Sequence, residues 1–276
     1  MTSQPFVANG PDGPIAGTVD GDGPPLLLLH GGPAITDYMS MLDAETGGWR
    51  RISYQQRGLA PSTLTGPFTV ENNVADAIAV LDELGVDRAV LLGHSWGGHL
   101  GLHLALAAPD RVTGLVSVDP LGTVDDGGVT EMGQHLDERL TTEGAEAFAA
   151  VVERLGGPEP DDDDATESLR LRWPGYFGDP ADIAPFPPGM RMSLAGYVGT
   201  FGSVMEHLAG GFAAKLAGIG IPVVFVLGEK SPMPVSQGEQ TAALLPRAEV
   251  VIVPGGGHLP WYEQPGCVAG ALSRLA

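Results

Sequence analysis

The sequence predicts an α/β fold in which a mostly parallel central sheet is flanked by helices. Six short runs rich in leucine or β-branched residues recur without polar alternation, at residues 26–29, 51–54, 89–92, 115–118, 223–227 and 250–253. Parallel strands have this pattern because their crossover connections cover both faces of the sheet. Helical stretches between the runs, and one long interval without any such run, complete the prediction.

One of the helical stretches has a clear period. After the second run, apolar residues recur at intervals of three and four, as on one face of a helix, at Val70, Val74, Ile78, Leu81 and Leu84. Gly85 follows as a stop signal. This stretch predicts the helix of a β-α-β unit.

The interval without strand-like runs predicts an inserted helical cap. It extends from about residue 121 to residue 218 and contains helical stretches at 131–140 and 143–155. We therefore predict a core domain of residues 1–120 and 216–276 and a cap of residues 121–215. The end of the cap carries flexible or aromatic side chains that either line an apolar pocket or simply pack against the core: Met190, Met192, Tyr197, Phe201 and Met205.

Composition and charge narrow the classes of partner. The chain of 276 residues is 43% hydrophobic and 17% charged, as in soluble globular proteins, and has a formal charge of −20 that disfavours nucleic acid and anionic membranes. The acidic run 161–164 lies among glycines and prolines and predicts a hydrated loop. Cys267 is the single cysteine, so no intrachain disulfide is expected. We expect a soluble, cytoplasmic protein that acts on a small molecule.

Residues 93–98, Gly-His-Ser-Trp-Gly-Gly, place a serine between a predicted strand and a helical stretch. A nucleophilic serine on such a tight turn needs small neighbours two residues away, which Gly93 and Gly97 provide. A glycine-rich turn that only packs a helix on a sheet is the alternative. The strand before and the helix after favour Ser95 as an exposed nucleophile.

Residues 30–33, His-Gly-Gly-Pro, follow the first predicted strand and suggest an oxyanion hole. Backbone N–H groups held in place stabilise the negative charge that develops when a serine attacks a carbonyl. Pro33 has no N–H, so Gly32 is the natural donor. The second donor would be the N–H of Trp96, the residue after the nucleophile. A plain turn is the alternative.

Four motifs in chain order resemble the α/β-hydrolase superfamily and, within it, the proline-iminopeptidase-like branch. They are residues 30–33, 54–58 (Tyr-Gln-Gln-Arg-Gly), 93–98 and 257–258 (Gly-His). The resemblance covers about residues 20–119 and 216–276 and is weak in the cap. It implies an α/β-hydrolase fold and a Ser, acid, His triad in that order beneath a helical cap.

By this resemblance His258 is the general base of the triad. It lies in a glycine-rich loop, residues 255–260, after the last predicted strand. Such a loop lets an imidazole reach the serine, and an imidazole accepts and returns protons near neutral pH.

The acid departs from the family pattern. Most members carry an aspartate three residues beyond a glycine after the penultimate strand, and here Ser231 occupies that position. Two candidates remain: Asp119, at the end of the strand-like run 115–118, and Glu229, in the expected loop. We prefer Asp119, because some members carry the acid after this earlier strand, although an aspartate before a proline also serves as a turn residue. Glu229 is the reserve.

The motifs favour a serine hydrolase that cleaves an ester, lactone or amide bond of a small, fairly apolar substrate. Aminopeptidases of the resembled branch bind the substrate amine with cap glutamates, but the nearest segment, residues 172–180, has aromatics and no glutamate. A proline iminopeptidase and a non-catalytic ligand-binding protein on a hydrolase core are the alternatives, with perhydrolase activity as a further one.

No cofactor or metal is expected from the sequence. The histidines and the cysteine have no ligand spacing with a supporting carboxylate, and the glycine-rich turns match neither a P-loop nor a dinucleotide fingerprint. The sequence leaves the oligomeric state open.

Overall fold

The computed structural model describes residues 3–275 and contains one sheet of eight strands. The strands are β1 (Gln4–Gly10), β2 (Gly13–Asp20), β3 (Pro25–Leu29), β4 (Arg50–Tyr54), β5 (Ala89–His94), β6 (Val112–Val118), β7 (Val223–Gly228) and β8 (Ala248–Val253). Their spatial order is β1-β2-β4-β3-β5-β6-β7-β8. All pairs from β4 to β8 are parallel. This confirms the predicted fold class, and each of the six apolar runs lies in one of these strands.

The N-terminal hairpin was not predicted. β1 and β2 pair antiparallel, and β2 joins the sheet antiparallel to β4. β1 is exposed at most positions, and only Ala8 is buried. Such an edge strand has no continuous apolar run, because it covers the core with few side chains.

Nine α-helices connect and flank the strands within residues 3–275. They are α1 (Val70–Glu83), α2 (Trp96–Ala107), α3 (Val129–Glu138), α4 (Thr142–Leu155), α5 (Asp162–Arg172), α6 (Leu194–Ala209), α7 (Phe212–Lys215), α8 (Val235–Ala243) and α9 (Cys267–Ser273). The helix predicted from the period of residues 70–84 is α1, and Gly85 follows it with φ +60°. Helices α3 to α7 lie between β6 and β7 in the chain, and this segment adds no strand to the sheet.

The acidic run 161–164 is hydrated but is not a loop, so that prediction was wrong. Asp161 is the N-cap of α5, and its side chain accepts a hydrogen bond of 2.8 Å from the N–H of Asp164. Aspartates stabilise a helix N-terminus by capping its free N–H groups and by complementing the helix dipole. The run therefore starts a helix.

The core lies on both faces of the sheet. One cluster joins α1 and α2 to one face, with Leu27, Leu91 and Phe225 at its centre. The other cluster includes Leu28, Leu92 and Val226 on the opposite face and packs α9 and part of the segment between β6 and β7 there. That segment is called the cap below, and its helices α6 and α7 contribute to the first cluster. Successive residues of the strands thus serve opposite faces, which explains the continuous apolar runs. No helix within residues 3–275 is both long and apolar enough to span a bilayer.

A histidine cluster is buried between α2 and α7. His103 stacks on Phe212 at 3.7 Å between ring centroids, and its Nε2 lies 3.2 Å from His99 Nε2. Burial lowers the pKa of His99 to about 4 and the pKa of His103 still further. Both side chains are therefore neutral in the folded protein, whereas they titrate near pH 6.5 when unfolded.

We predict that this cluster makes the protein acid-sensitive. Because the unfolded state binds more protons below about pH 6.5, the free energy of unfolding falls as the pH is lowered toward about 4. Between pH 7 and pH 5, each buried histidine lowers the free energy of unfolding by about 2 kcal/mol. Urea unfolding at both pH values should show a smaller loss for His103→Gln than for the wild type. His135→Gln, at a partly exposed histidine, should behave as the wild type, and equal losses in all three proteins would contradict the prediction.

Candidate active site

Ser95 lies on a strained turn between β5 and α2. Its backbone has φ 54° and ψ −122°, a conformation that L-residues rarely adopt. The turn is tightly packed, because a Cβ atom at Gly93 would lie 2.3 Å from the carbonyl oxygen of Gly97, and one at Gly97 would lie 1.9 Å from that of Leu29. The structure therefore shows why both neighbours are glycines. Ser95 itself lines a cavity that it shares with His258.

Two backbone N–H groups beside Ser95 are free. Neither Gly32 nor Trp96 donates a backbone hydrogen bond to any residue in 3–275, and both residues line the same cavity as Ser95. The neighbouring N–H of Gly31 is instead donated to Tyr38 Oη at 2.9 Å. Trp96 is the first residue of α2, so its N–H lies at the positive end of the helix dipole. This is the arrangement that an oxyanion hole requires.

Gln56, from the motif at residues 54–58, contacts both the loop after β3 and Trp96. Gln56 Nε2 donates to the carbonyl oxygen of His30 at 2.8 Å, and the N–H of Gln56 donates to His30 Nε2 at 3.1 Å. Gln56 Oε1 accepts from Trp96 Nε1 at 2.9 Å. Gln56 therefore ties the loop after β3 to the first residue of α2. The sequence motif contained Gln56, but sequence reasoning assigned it no function.

The structure brings Asp119 and His258 together. His258 Nδ1 lies 2.5 Å from Asp119 Oδ2, and both side chains are buried. Asp119 immediately follows β6, has φ 43°, and donates its N–H to the carbonyl oxygen of Val226 in β7. Its Oδ1 accepts from the N–H of Gly228 at 3.0 Å. The carboxylate is thus held at the carboxyl ends of two parallel strands.

Ser231 completes the shell around Asp119. Its hydroxyl donates to Asp119 Oδ2 and accepts from the N–H of Met233. The residue at the position of the family's usual acid therefore contacts Asp119, the preferred candidate acid. Glu229 lies elsewhere: its side chain is exposed and accepts from the N–H of Gly255 at 2.8 Å. In the sequence, only its position three residues beyond Gly228 drew attention to Ser231.

A second chain of hydrogen bonds joins His258 to the loop after β3. Tyr38 Oη lies 2.5 Å from His94 Nδ1, and His94 Nε2 lies 2.7 Å from the carbonyl oxygen of His258. Burial lowers the pKa of His94 well below its usual range, so the ring is neutral. Nε2 then carries the proton and Nδ1 accepts one from Tyr38. Sequence reasoning missed Tyr38, which no motif marks.

The cap contacts His258 directly. The N–H of His258 donates to the carbonyl oxygen of Tyr176 at 2.6 Å, and the two rings stack with centroids 5.2 Å apart. Tyr176 ends a short 3-10 helix, Trp173–Tyr176, that follows α5. This segment therefore contacts both the backbone and the imidazole ring of His258.

These elements surround a cavity of about 200 Å³. Its walls are mostly apolar, and four of the five cap residues singled out in the sequence line it: Met190, Met192, Tyr197 and Phe201. Met205 instead packs against the hydrophobic core. Ser95 and His258 both face the cavity, and within residues 3–275 no hydrogen bond joins their side chains. Catalytic hydrogen bonds of this kind commonly tighten only when substrate is bound.

Fold and site together define the class of protein as an α/β hydrolase. The model of the Alpha/beta hydrolase family matches residues 26–270, and the chain belongs to this family. The chain is 26% identical over 248 residues, 88% of each chain, to a protein named "Putative carbamate hydrolase RutD" from Stutzerimonas stutzeri. Further curated relatives align over shorter stretches, so the chain spans 44% or less of their length.

Solved structures agree with the fold. A hydrolase from Pseudomonas aeruginosa PA01 superimposes with a TM-score of 0.74 at 26% identity, covering 99% of this chain and 98% of that one. A proline iminopeptidase from Mycobacterium smegmatis superimposes with a TM-score of 0.69 at 19% identity, covering 98% and 97%. The second likeness shows the shared fold alone.

We predict that the Tyr38 hydroxyl stabilises the site measurably. Tyr38→Phe removes the acceptor of the Gly31 N–H and the partner of His94, and leaving buried polar groups unpaired costs about 1–3 kcal/mol. Tyr54→Phe is the matched control, because the buried Tyr54 hydroxyl has no partner among the described residues. Denaturant unfolding should show a loss for Tyr38→Phe and none for Tyr54→Phe. The same change in both variants would contradict a role for the Tyr38 network.

Proposed function

We propose that this protein is a serine hydrolase that cleaves an ester, lactone or amide bond of a small, fairly apolar substrate. The observation that carries the proposal is the convergence on one cavity of a strained serine, two free N–H groups and a histidine bound to a buried aspartate. Ser95 is the nucleophile, His258 the general base and Asp119 the acid. Gly32 and Trp96 form the oxyanion hole.

The proposed reaction proceeds through an acyl-enzyme. Ser95 Oγ attacks the carbonyl carbon while its proton passes to His258 Nε2, and the N–H groups of Gly32 and Trp96 bind the oxyanion. The tetrahedral intermediate collapses, and His258 returns the proton to the leaving oxygen or nitrogen. Water then attacks the acyl-enzyme by the same steps, which releases the carboxylic acid product and restores Ser95.

The role of Asp119 follows from its contacts. Its carboxylate accepts from His258 Nδ1, which leaves Nε2 free to face the cavity and accept a proton. The negative charge also stabilises the imidazolium that forms during the reaction. Hydrogen bonds from Gly228 and Ser231 keep the buried carboxylate in place.

The cavity wall supports hydrolysis of a neutral or anionic substrate over release of an N-terminal residue. Among the described residues that line the cavity there is no aspartate or glutamate. A substrate ammonium group would therefore lose its hydration without gaining a counter-charge. This argues against the proline iminopeptidase alternative, which needs such a carboxylate.

We predict that hydrolysis of short- and medium-chain p-nitrophenyl esters depends on Ser95 and Asp119. Ser95→Ala should abolish turnover, and Asp119→Asn should lower kcat by about 10⁴-fold, as in other triads, since it disturbs the imidazole tautomer. Glu229→Gln is the matched control and should retain activity. Circular dichroism checks that each variant is folded, and labelling by an organophosphonate should require Ser95.

Two results would contradict this proposal. A folded wild type without ester turnover and without phosphonate labelling would favour the non-catalytic ligand-binding alternative. If Asp119→Asn kept full ester turnover and Glu229→Gln lost it, Glu229 rather than Asp119 would be the triad acid.

We also predict that the acid can be relocated to the position of Ser231. Because Ser231 Oγ and His258 Nδ1 contact the same oxygen of Asp119, a carboxylate at residue 231 would lie within reach of the imidazole. The double variant Asp119→Asn/Ser231→Asp should recover at least about tenfold of the kcat lost in Asp119→Asn. Ester hydrolysis measures this, and Asp119→Asn/Ser231→Asn is the uncharged control. Equal activity of the two double variants would refute the relocation.

A further inference from the structure

One permanently charged side chain lines the mostly apolar cavity. Among the described lining residues this is Arg172, the last residue of α5. Its side chain is 26% exposed, and its guanidinium carbon lies 4.0 Å above the ring of Phe148. The chain as a whole carries a formal charge of −20, so the positive charge of this lining residue is opposite in sign to the net charge of the protein.

The guanidinium of Arg172 is only partly used by the protein. Nε and Nη2 both donate to one oxygen of Asp137, at 3.1 and 2.5 Å. Nη1 donates no hydrogen bond within residues 3–275. The Asp137 side chain is 52% exposed, and ion pairs at such exposure contribute little net binding. Arg172 therefore keeps donors for a second anion.

Two tyrosines line the same cavity as Arg172. Tyr176 and Tyr197 both line it, and neither hydroxyl makes a hydrogen bond within the described chain. Burial raises the pKa of Tyr176 to about 12 and also raises that of Tyr197, while the charge of Arg172 opposes both shifts. The hydroxyls are therefore protonated donors at neutral pH, and they lie within the electrostatic reach of Arg172.

We propose that Arg172 is a specificity-determining residue that binds a carboxylate on the substrate, with Tyr176 and Tyr197 as additional donors. A guanidinium supplies hydrogen-bond donors only, and each neutral hydroxyl can donate one hydrogen bond to a carboxylate. The apolar parts of the wall strengthen these interactions with an anion. The substrate class is thus an ester, lactone or amide that carries a free carboxylate apart from the scissile bond. This inference rests on the proposed hydrolase function.

The test compares anionic with neutral substrates of matched length. One pair carries the charge in the acyl group: mono-p-nitrophenyl adipate against p-nitrophenyl hexanoate. The other carries it in the leaving group: 4-carboxyphenyl hexanoate against 4-methylphenyl hexanoate. For each pair the readout is the ratio of kcat/KM for the anionic ester to kcat/KM for the neutral one. In Arg172→Gln this ratio should fall about tenfold or more for at least one pair, as expected for a lost charged hydrogen bond.

Three further variants separate charge from structure. Arg172→Lys should retain part of the preference, because it keeps the charge but not the planar fork. Arg170→Gln is the matched control in the same helix, since Arg170 pairs with Glu167 and does not line the cavity, and should leave the ratio unchanged. Asp137→Asn keeps Arg172 but removes the carboxylate that competes with the substrate for its guanidinium, so the ratio should rise. This variant tests the proposal even if Arg172→Gln fails to fold.

The outcomes are distinct from those of the proposed function. If neutral esters are hydrolysed in a Ser95-dependent way and both ratios are unaffected by Arg172→Gln, or by Asp137→Asn, the carboxylate subsite is wrong and the hydrolase proposal stands. If the wild type hydrolyses none of the four esters and Ser95 is not labelled by phosphonate, both proposals fall.

Discussion

The contacts of the buried Asp119 carboxylate organise the whole candidate site. One oxygen accepts from His258 Nδ1 and from Ser231, and the other accepts from the N–H of Gly228. Burying a carboxylate is costly unless it is fully hydrogen-bonded, so each donor depends on the others being in place. Asp119 follows β6 and Gly228 ends β7. The pairing of these two central strands therefore fixes the Asp119 carboxylate, which lies beside the loop that carries His258.

Around that carboxylate, the core and the cap are joined by polar contacts as well as apolar packing. Tyr176 from the cap accepts the N–H of His258, and His94 binds the carbonyl oxygen of the same residue. Tyr38 continues the chain of hydrogen bonds from His94 to the loop after β3. The backbone of His258 is therefore held from both sides, which fixes the imidazole between Asp119 and the cavity.

The sequence was most informative where burial is uniform and least informative at the edges. All six parallel strands could be found because residues such as Leu27 and Leu28 serve opposite, equally buried faces. The N-terminal hairpin was missed because β1 buries only Ala8. The acidic run was misread because its composition suits both a hydrated loop and the first turn of a helix, and only the hydrogen bond from Asp164 to Asp161 distinguishes the two.

What the sequence by itself determined is the fold class. It also marked Ser95, Gly32, Trp96 and His258 as candidate site residues, because glycine-rich turns after buried strands are local patterns. It left Asp119 and Glu229 as rival partners for His258. The tertiary structure decided which carboxylate lies against His258, since Asp119 and His258 are 139 residues apart in the chain and meet only when β6, β7 and β8 lie side by side in the sheet. It also decided that Arg172, Tyr176 and Tyr197 line the same cavity as Ser95 and His258, because these residues lie far from Ser95 and His258 in the chain and come together with them only through tertiary packing.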